Sequence, residues 1–350
     1  MRTFVLMTLF AALMLAVPAR AELGIGGYAR AGQSGVPLRI FGPDADGTTP
    51  PFQEMSGPTF GARDTQWASY EPNEQLLYIS DYYGQAIRVY PAFRSGDVAP
   101  LRVLRSAYLG QSQANAPIFA HGELAAIAIN CCIRTWPLDA EGDDVLPKRT
   151  IPWVGTNPKT QLNSPASLVY LPDTDEYAVV DFERGTNASR IVFHARTASG
   201  NVPPTRMITG NGVGGAVAIA HDRLNRRLFM LGRSTLADQS LIGRVAVFPD
   251  SASGDAVPLY TIAGALTRLN RPAGDYFIGI AHDPYRRRIM VSSAAPSSSS
   301  EGHRMIVFDE DAAYNAAPLR DLGGEWLSPG NLGRPFSVPP WDTIRRNGFD

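Results

Sequence analysis

The chain has 350 residues and a formal net charge of −1; 44% of its residues are hydrophobic and 19% charged. That balance supports a sizeable buried core and excludes the strongly basic surface of a nucleic-acid binder. The 33 glycines and 28 prolines suit a turn-dense, all-β chain.

Residues 1–21, MRTFVLMTLFAALMLAVPARA, have the form of an export signal. Arg2 supplies the positive start, Phe4 to Val17 the apolar core, and Ala19-Arg20-Ala21 a small-x-small cleavage site. The apolar run is too short to span a bilayer comfortably, and no second run of spanning length follows. No cysteine stands at the cleavage point, which argues against a lipid anchor. The expectation is a mature protein starting near Glu22, without a membrane span, periplasmic or secreted, forming one domain over residues 22–350.

From there the chain repeats. Six segments align on a proline: VPLRI (Pro37), APLRV (Pro100), LPKRT (Pro147), PPTRM (Pro204), VPLYT (Pro258) and APLRD (Pro318), spaced 63, 47, 57, 54 and 60 residues apart. The later five follow a short strand (AIRVY, CIRTW, RIVFH, RVAVF, RMIVF) and a turn such as Ser95-Gly96-Asp97 or Ser253-Gly254-Asp255. Upstream of these lie a small-residue strand, as in AVAIAHD and FIGIAHD, and an apolar strand, as in LLYISD and EYAVVDF. Four short strands per unit at this period predict β-propeller blades, with strands a to d running outward from a central channel. Five units are continuous, over 65–104, 117–152, 165–209, 215–263 and 276–323. Leu23–Ile40 reads as strands c and d, and FSVPPWDTIRRN (336–347) as strand a. Together they predict a sixth blade closed by the two ends of the chain, with three or four strands.

GIAHDPYRRRIMV and VFHARTASGNVPPTRMITG resemble the repeats of NHL-type six-bladed propellers, which share a structural class with gluconolactonase-type and TolB-like propellers. The resemblance spans Glu22 to Asp350. It implies the fold and leaves the function open, because propellers host hydrolases, lyases, binding modules and scaffolds.

Loop lengths favour one face. The a–b turns are tight and the c–d loops nearly constant, whereas the d–a and b–c loops vary: 41–64, 232–243 and the Ser-rich 292–303. Variable loops on a rigid scaffold are where binding residues usually sit. The ends of strand b reach the same face with Asp81, Asn130, Asp181, Arg233 and Ser293. Oxygen ligands from neighbouring blades suit Ca²⁺ or another hard divalent cation, and gluconolactonase-type propellers hold a metal with such residues. Asp81, Asn130 and Asp181 are therefore the candidate ligands. The competing reading makes each Asp a cap of its own turn, and Arg233 would repel a cation.

His121, His221 and His282 end strand a and offer zinc-binding nitrogens, but the repeated His-Asp also serves as the start of a hairpin turn. His194 and His303 fall on or beside strand c. The a–b turns are acidic in the first three units (Glu71, Glu74, Glu123, Asp173, Asp175, Glu176). They are basic later (Arg223, Arg226, Arg227, Arg286, Arg287, Arg288, Arg345, Arg346). That split marks either a docking face for a charge-complementary partner or ordinary solubilising charge. Cys131 and Cys132 are adjacent and are the only cysteines. In an oxidising compartment they form a strained vicinal disulfide or stay as packed thiols, since Cα atoms about 3.8 Å apart are closer than the usual bridge.

No nucleophile elbow, phosphate loop or metalloprotease motif is present. The leading functional expectation is an exported module binding a protein or cell-envelope ligand through its variable loops. The alternative is a divalent-metal-dependent, lactonase-like hydrolase with its site in the channel. A third is a small-molecule carrier with Trp67, Tyr82, Tyr83 and Phe182 as stacking walls.

Overall fold

The computed structural model describes residues 22–28, 36–109, 117–128, 131–153, 159–183, 188–296, 302–327 and 331–339. Residues 1–21, Asn130, Arg345, Arg346 and the centre of the Ser-rich stretch lie outside them.

The described residues form six antiparallel blades, a six-bladed β-propeller. Blade one comprises Trp67–Glu71, Leu76–Asp81, Ala86–Pro91 and Arg102–Arg105 as strands a to d. Blade two comprises Ile118–Ala120, Glu123–Ala128, Cys132–Pro137 and Arg149–Pro152. Blade three comprises Pro165–Leu171, Glu176–Phe182, Ser189–Ala195 and Arg206–Ile208. Blade four comprises Ala216–Asp222, Arg227–Thr235, Leu241–Pro249 and Tyr260–Ile262. Blade five comprises Tyr276–Asp283, Arg288–Ala294, Arg304–Asp309 and Arg320–Leu322.

Blade six closes the ring with a different division of labour from the one expected. The C-terminal segment gives strand a (Phe336–Val338), and the N-terminal segment gives b, c and d (Glu22–Ile25, Leu38–Phe41, Gln53–Met55). VPLRI therefore belongs to strand c, not d. The true counterpart of the Pro100 anchor is Pro51, which follows Asp46-Gly47 as Pro258 follows Ser253-Gly254. The 63-residue first interval was the sign of that slip. The stretch 41–64 is accordingly a c–d loop, strand d and a d–a loop in succession. The ends meet as adjacent strands, Leu23 opposite Ser337 and Gly24 opposite Phe336. A Cβ on Gly24 would collide with the Phe336 ring, so glycine there makes the closure possible.

The middle of strand b is apolar because it is covered on both faces by neighbouring blades; all six residues of Glu123–Ala128 are buried. The core is a set of inter-blade layers. One joins Phe229, Val245 and Val247 of blade four to Ile289, Ile306 and Phe308 of blade five. Each such side chain contributes about 1.5–3 kcal/mol on burial.

The recurrent turn between strands c and d latches blade to blade. In blade order from blade six, the backbone N–H of Gly47, Gly96, Gly142, Gly200, Gly254 and Tyr314 donates to strand d of the preceding blade (Asp321, Glu54, Val103, Thr150, Met207 and Thr261 O). The distances run from 2.6 to 3.3 Å. All six latch residues have φ between +55° and +102°, which is why five are glycine.

Candidate functional site

All six innermost strands converge on the channel, and at the a–b end they leave a cavity of about 420 Å³. Its wall carries Tyr70, Phe119, Tyr170 and Tyr285 with prolines from five blades, and no Asp or Glu among the described residues lines it. The charged or titratable groups in the lining are Arg223, His221, His282 and Arg334. The cavity thus opens on the face opposite the variable d–a and b–c loops. Trp67, Tyr82, Tyr83 and Phe182 are not among its lining residues. Tyr82 packs edge-on against Tyr83 at a b–c turn.

Arg334 closes the inner end. It stands just before strand a of blade six and crosses the channel to blades four and five. Its Nη2 donates to Ile219 O at 2.8 Å and its Nε to Ile280 O at 3.1 Å. The residue is 8% exposed, and no carboxylate among the described residues pairs with it. Burial alone pushes the guanidinium down to about 10, so it remains charged at neutral pH. Blade five makes room for it: a Cβ on Gly279 would stand 2.6 Å from Arg334 Cγ, whereas blade four has Ala218 at the matching place. Ser337, two residues into strand a, lines the same cavity, and its Oγ has no hydrogen-bond partner among the described residues.

The residues expected at the strand-b ends are placed as follows. Asp81 is buried; its Oδ1 accepts from the amides of Arg63, Asp64 and Gly84 at 3.0–3.3 Å, and its Oδ2 pairs with Arg88 at 2.8 Å. Asp181 repeats this, with Asn163 and Ser164 amides at 2.8 Å and Arg190 at 3.0 Å. Burial raises the Asp181 carboxyl above the ordinary carboxylate range, against the pull of those amides and Arg190. Each carboxylate is engaged by its own strand c and the loop leading into its own blade. Ser293 is fully buried with its hydroxyl unpartnered among the described residues. Arg233 is one place out of register: Gly232, opposite Arg244, matches Asp181, opposite Arg190. Arg233 instead continues an extended hairpin opposite Gly243, so 232–243 is largely paired strand.

The three strand-a histidines sit in separate surroundings. His121 and Gly122 form a tight turn with φ of 52° and 69°, and His121 Nε2 lies 3.0 Å from Tyr170 Oη. His221 lies 3.5 Å from Asp250. His282 Nε2 lies 2.8 Å from Glu310. His194 meets Thr160 O at 3.0 Å, and His303 Nδ1 accepts from the Ala295 amide. Among the described residues, one group has metal-like spacing, Asp222, His282 and Glu310, with ligand atoms within 4.8 Å of one another. Cations already fill it: Arg227 lies 2.9 Å from Asp222, and Arg287 lies 2.6 Å from Glu310.

The same pairing accounts for the acidic and basic turns. Arg226 meets Asp250 at 3.3 Å, Arg227 also meets Asp311 at 2.8 Å, and Arg288 meets Asp309 at 2.6 Å. Arg286, in the same turn, leads into Arg287, which reaches Asp311 at 2.9 Å. On the acidic side Glu123 gathers Lys148, Arg149 and Arg196, and Arg149 above all holds its carboxyl down at about 2. Glu176 holds Arg206 at 2.9 Å. Both halves are largely neutralised within the ring.

Cys131 and Cys132 are joined as a vicinal disulfide, with Cα atoms 3.7 Å apart. Two features had escaped the sequence. Arg334 carried one faint signal, glycine in FIGIAHD where its sister repeat has alanine. Asp64 carried none: it is buried between Gln66 and Asp81, and burial pushes its carboxyl up to about 7.

These features define a six-bladed propeller with an aromatic-walled cavity at one mouth of its channel, free of acids among the described residues. No known protein family matches the sequence, and no curated protein matches it. Solved structures do resemble it. A chain of a nidogen/laminin complex superposes with TM-score 0.60 at 10% identity, over 91% of this chain and 98% of that one. A candidate 6-phosphogluconolactonase of Bacteroides uniformis gives 0.53 at 12% identity, over 87% and 83%. Kuenenia stuttgartiensis hydrazine synthase gives 0.51 at 11%, over 79% and 71%. At such identities the likeness is one of fold.

Proposed function

We propose that this protein is an exported binding propeller that captures a small organic ligand, such as a free or envelope-derived molecule, in the channel cavity. The observation that carries the reading is the cavity itself: concave, aromatic-walled, floored by Arg334 and built by all six blades. The signal-like residues 1–21 and the bonded Cys131–Cys132 pair support a periplasmic or secreted site of action. A lactonase-like metal enzyme ranks second, because Asp81 and Asp181 already spend their oxygens on amides and arginines.

Ligand-observed NMR of the full chain against a fragment library tests the proposal. Fragments that bind wild type and are lost in Tyr170→Ala support it. A library in which no hit responds to Tyr170→Ala or Phe119→Ala overturns it.

A further inference from the structure

We infer that the cavity selects a ring-bearing monocarboxylate, anchored on Arg334. The inference rests on the cavity being the binding site, and adds the ligand's charge and class.

Arg334 is a charged group only 8% exposed, and a buried charge ordinarily has a counter-charge. None of the described residues supplies one. A guanidinium has five N–H donors; two go to Ile219 O and Ile280 O, fixing the plane of the group. The remaining three are left for a ligand. The acids that contact lining residues are turned to those residues and do not themselves line the cavity: Asp250 to His221, Glu310 to His282, Asp175 to Tyr170 and Asp173 to Arg223. The lining is therefore cationic at its floor and aromatic along its sides.

Arg223, the other arginine of the lining, is 71% exposed and faces Asp173 at 3.8 Å; the one buried guanidinium balances one negative charge, so a carboxylate fits better than a dianionic phosphate. The rings of Tyr70, Phe119, Tyr170 and Tyr285 suit a flat apolar body above it. Gly279 belongs to the same device, since its missing side chain is what lets Arg334 cross to blade four.

The test titrates the full chain with benzoate, phenylacetate, cinnamate and nicotinate, each beside its primary amide, and with phenyl phosphate, by ligand-observed NMR and calorimetry. The expected result is that at least one acid binds ten- to a hundred-fold tighter than its amide, the range of a charged hydrogen bond. Arg334→Met should abolish that preference while amide binding persists. Gly279→Ala, which displaces the arginine without removing its charge, should weaken the preference several-fold. If Arg334→Met fails to fold by circular dichroism, Gly279→Ala carries the test.

Acids and amides binding alike would overturn the charge selection and leave the cavity reading standing. A preference that survives both Arg334→Met and Gly279→Ala would overturn Arg334 as anchor. Tighter binding of phenyl phosphate would overturn the single-charge assignment. Failure of all four acids to bind at 10 mM overturns the inference, and the fragment screen then judges the cavity separately.

Discussion

Replacing Asp181 with alanine separates a structural carboxylate from a metal ligand. The side chain is fully buried, accepts two backbone amides and pairs with Arg190, whose own side chain is 18% exposed. Removing one partner of a buried pair costs about 3–5 kcal/mol, and the partial exposure of Arg190 places this case near the lower end, about 3. The amides of Asn163 and Ser164, reached by water once the carboxylate is gone, add about 1 kcal/mol together. With an unfolding entropy of about 2.1 cal/mol/K per residue over roughly 330 residues, a loss of about 4 kcal/mol lowers Tm by about 6 °C. Differential scanning calorimetry at pH 7.5 reads this directly. Asp181→Ala/Arg190→Met should recover more than half of the loss, because no cation is then stranded. The reasoning fails if Asp181→Ala melts within about 1 °C of wild type while Ca²⁺, Mg²⁺ or Mn²⁺ raises the wild-type Tm and not the variant's. That pattern would make the carboxylate a ligand.

Three further outcomes follow from the same structure. Asp64 has its carboxyl raised from 3.8 to about 7, so the folded state holds a proton that the unfolded chain has released. Stability from this group therefore falls as pH rises from about 4 to 7. Asp64→Asn should accordingly gain Tm over wild type at pH 8 and lose the gain at pH 4; an equal gain at both values would refute the assignment. Glu123 is the opposite case, held down at about 2 by Arg149 and Lys148. Its contribution is present above about 4.5 and disappears as pH falls toward 2, so the Tm gap between wild type and Glu123→Gln should close over that window. At the latches, Gly254→Ala meets open space but sits at φ +70°. It should cost about 1 kcal/mol in urea unfolding, whereas Tyr314→Gly, relieving φ +56°, should be neutral or stabilising by a few tenths.

The blade count and the interior of five blades were readable because each blade repeats the same local chemistry: a left-handed turn residue, glycine in four of the five, a proline after it, and a strand b with an apolar middle. The closing blade misled because VPLRI imitates the strand-d anchors in composition while occupying strand c; only the uneven spacing told them apart. Asp81 and Asp181 stood out by position, but their strand-c partners Arg88 and Arg190 decide their role. That pairing depends on register across a hairpin. Arg334 was opaque for a different reason. Its meaning comes from Ile219, Ile280 and Gly279, more than fifty residues away in sequence, and no local pattern encodes such a meeting.

The position of the seam has a consequence for circular permutation. Because the two ends of the chain interleave inside blade six, the ring is held by a hasp: strand a of that blade is covalently tied to blade five and strands b to d to blade one. Rejoining the natural ends and cutting instead at residues 56–66, between strand d of blade six and strand a of blade one, would give six blades each made from one continuous segment. Such a permutant keeps every latch and every core layer, yet its first and last blades are bound only through their faces. It should reach the same equilibrium fold but open at the new seam first, with hydrogen exchange fastest in Trp67–Glu71 and Gln53–Met55.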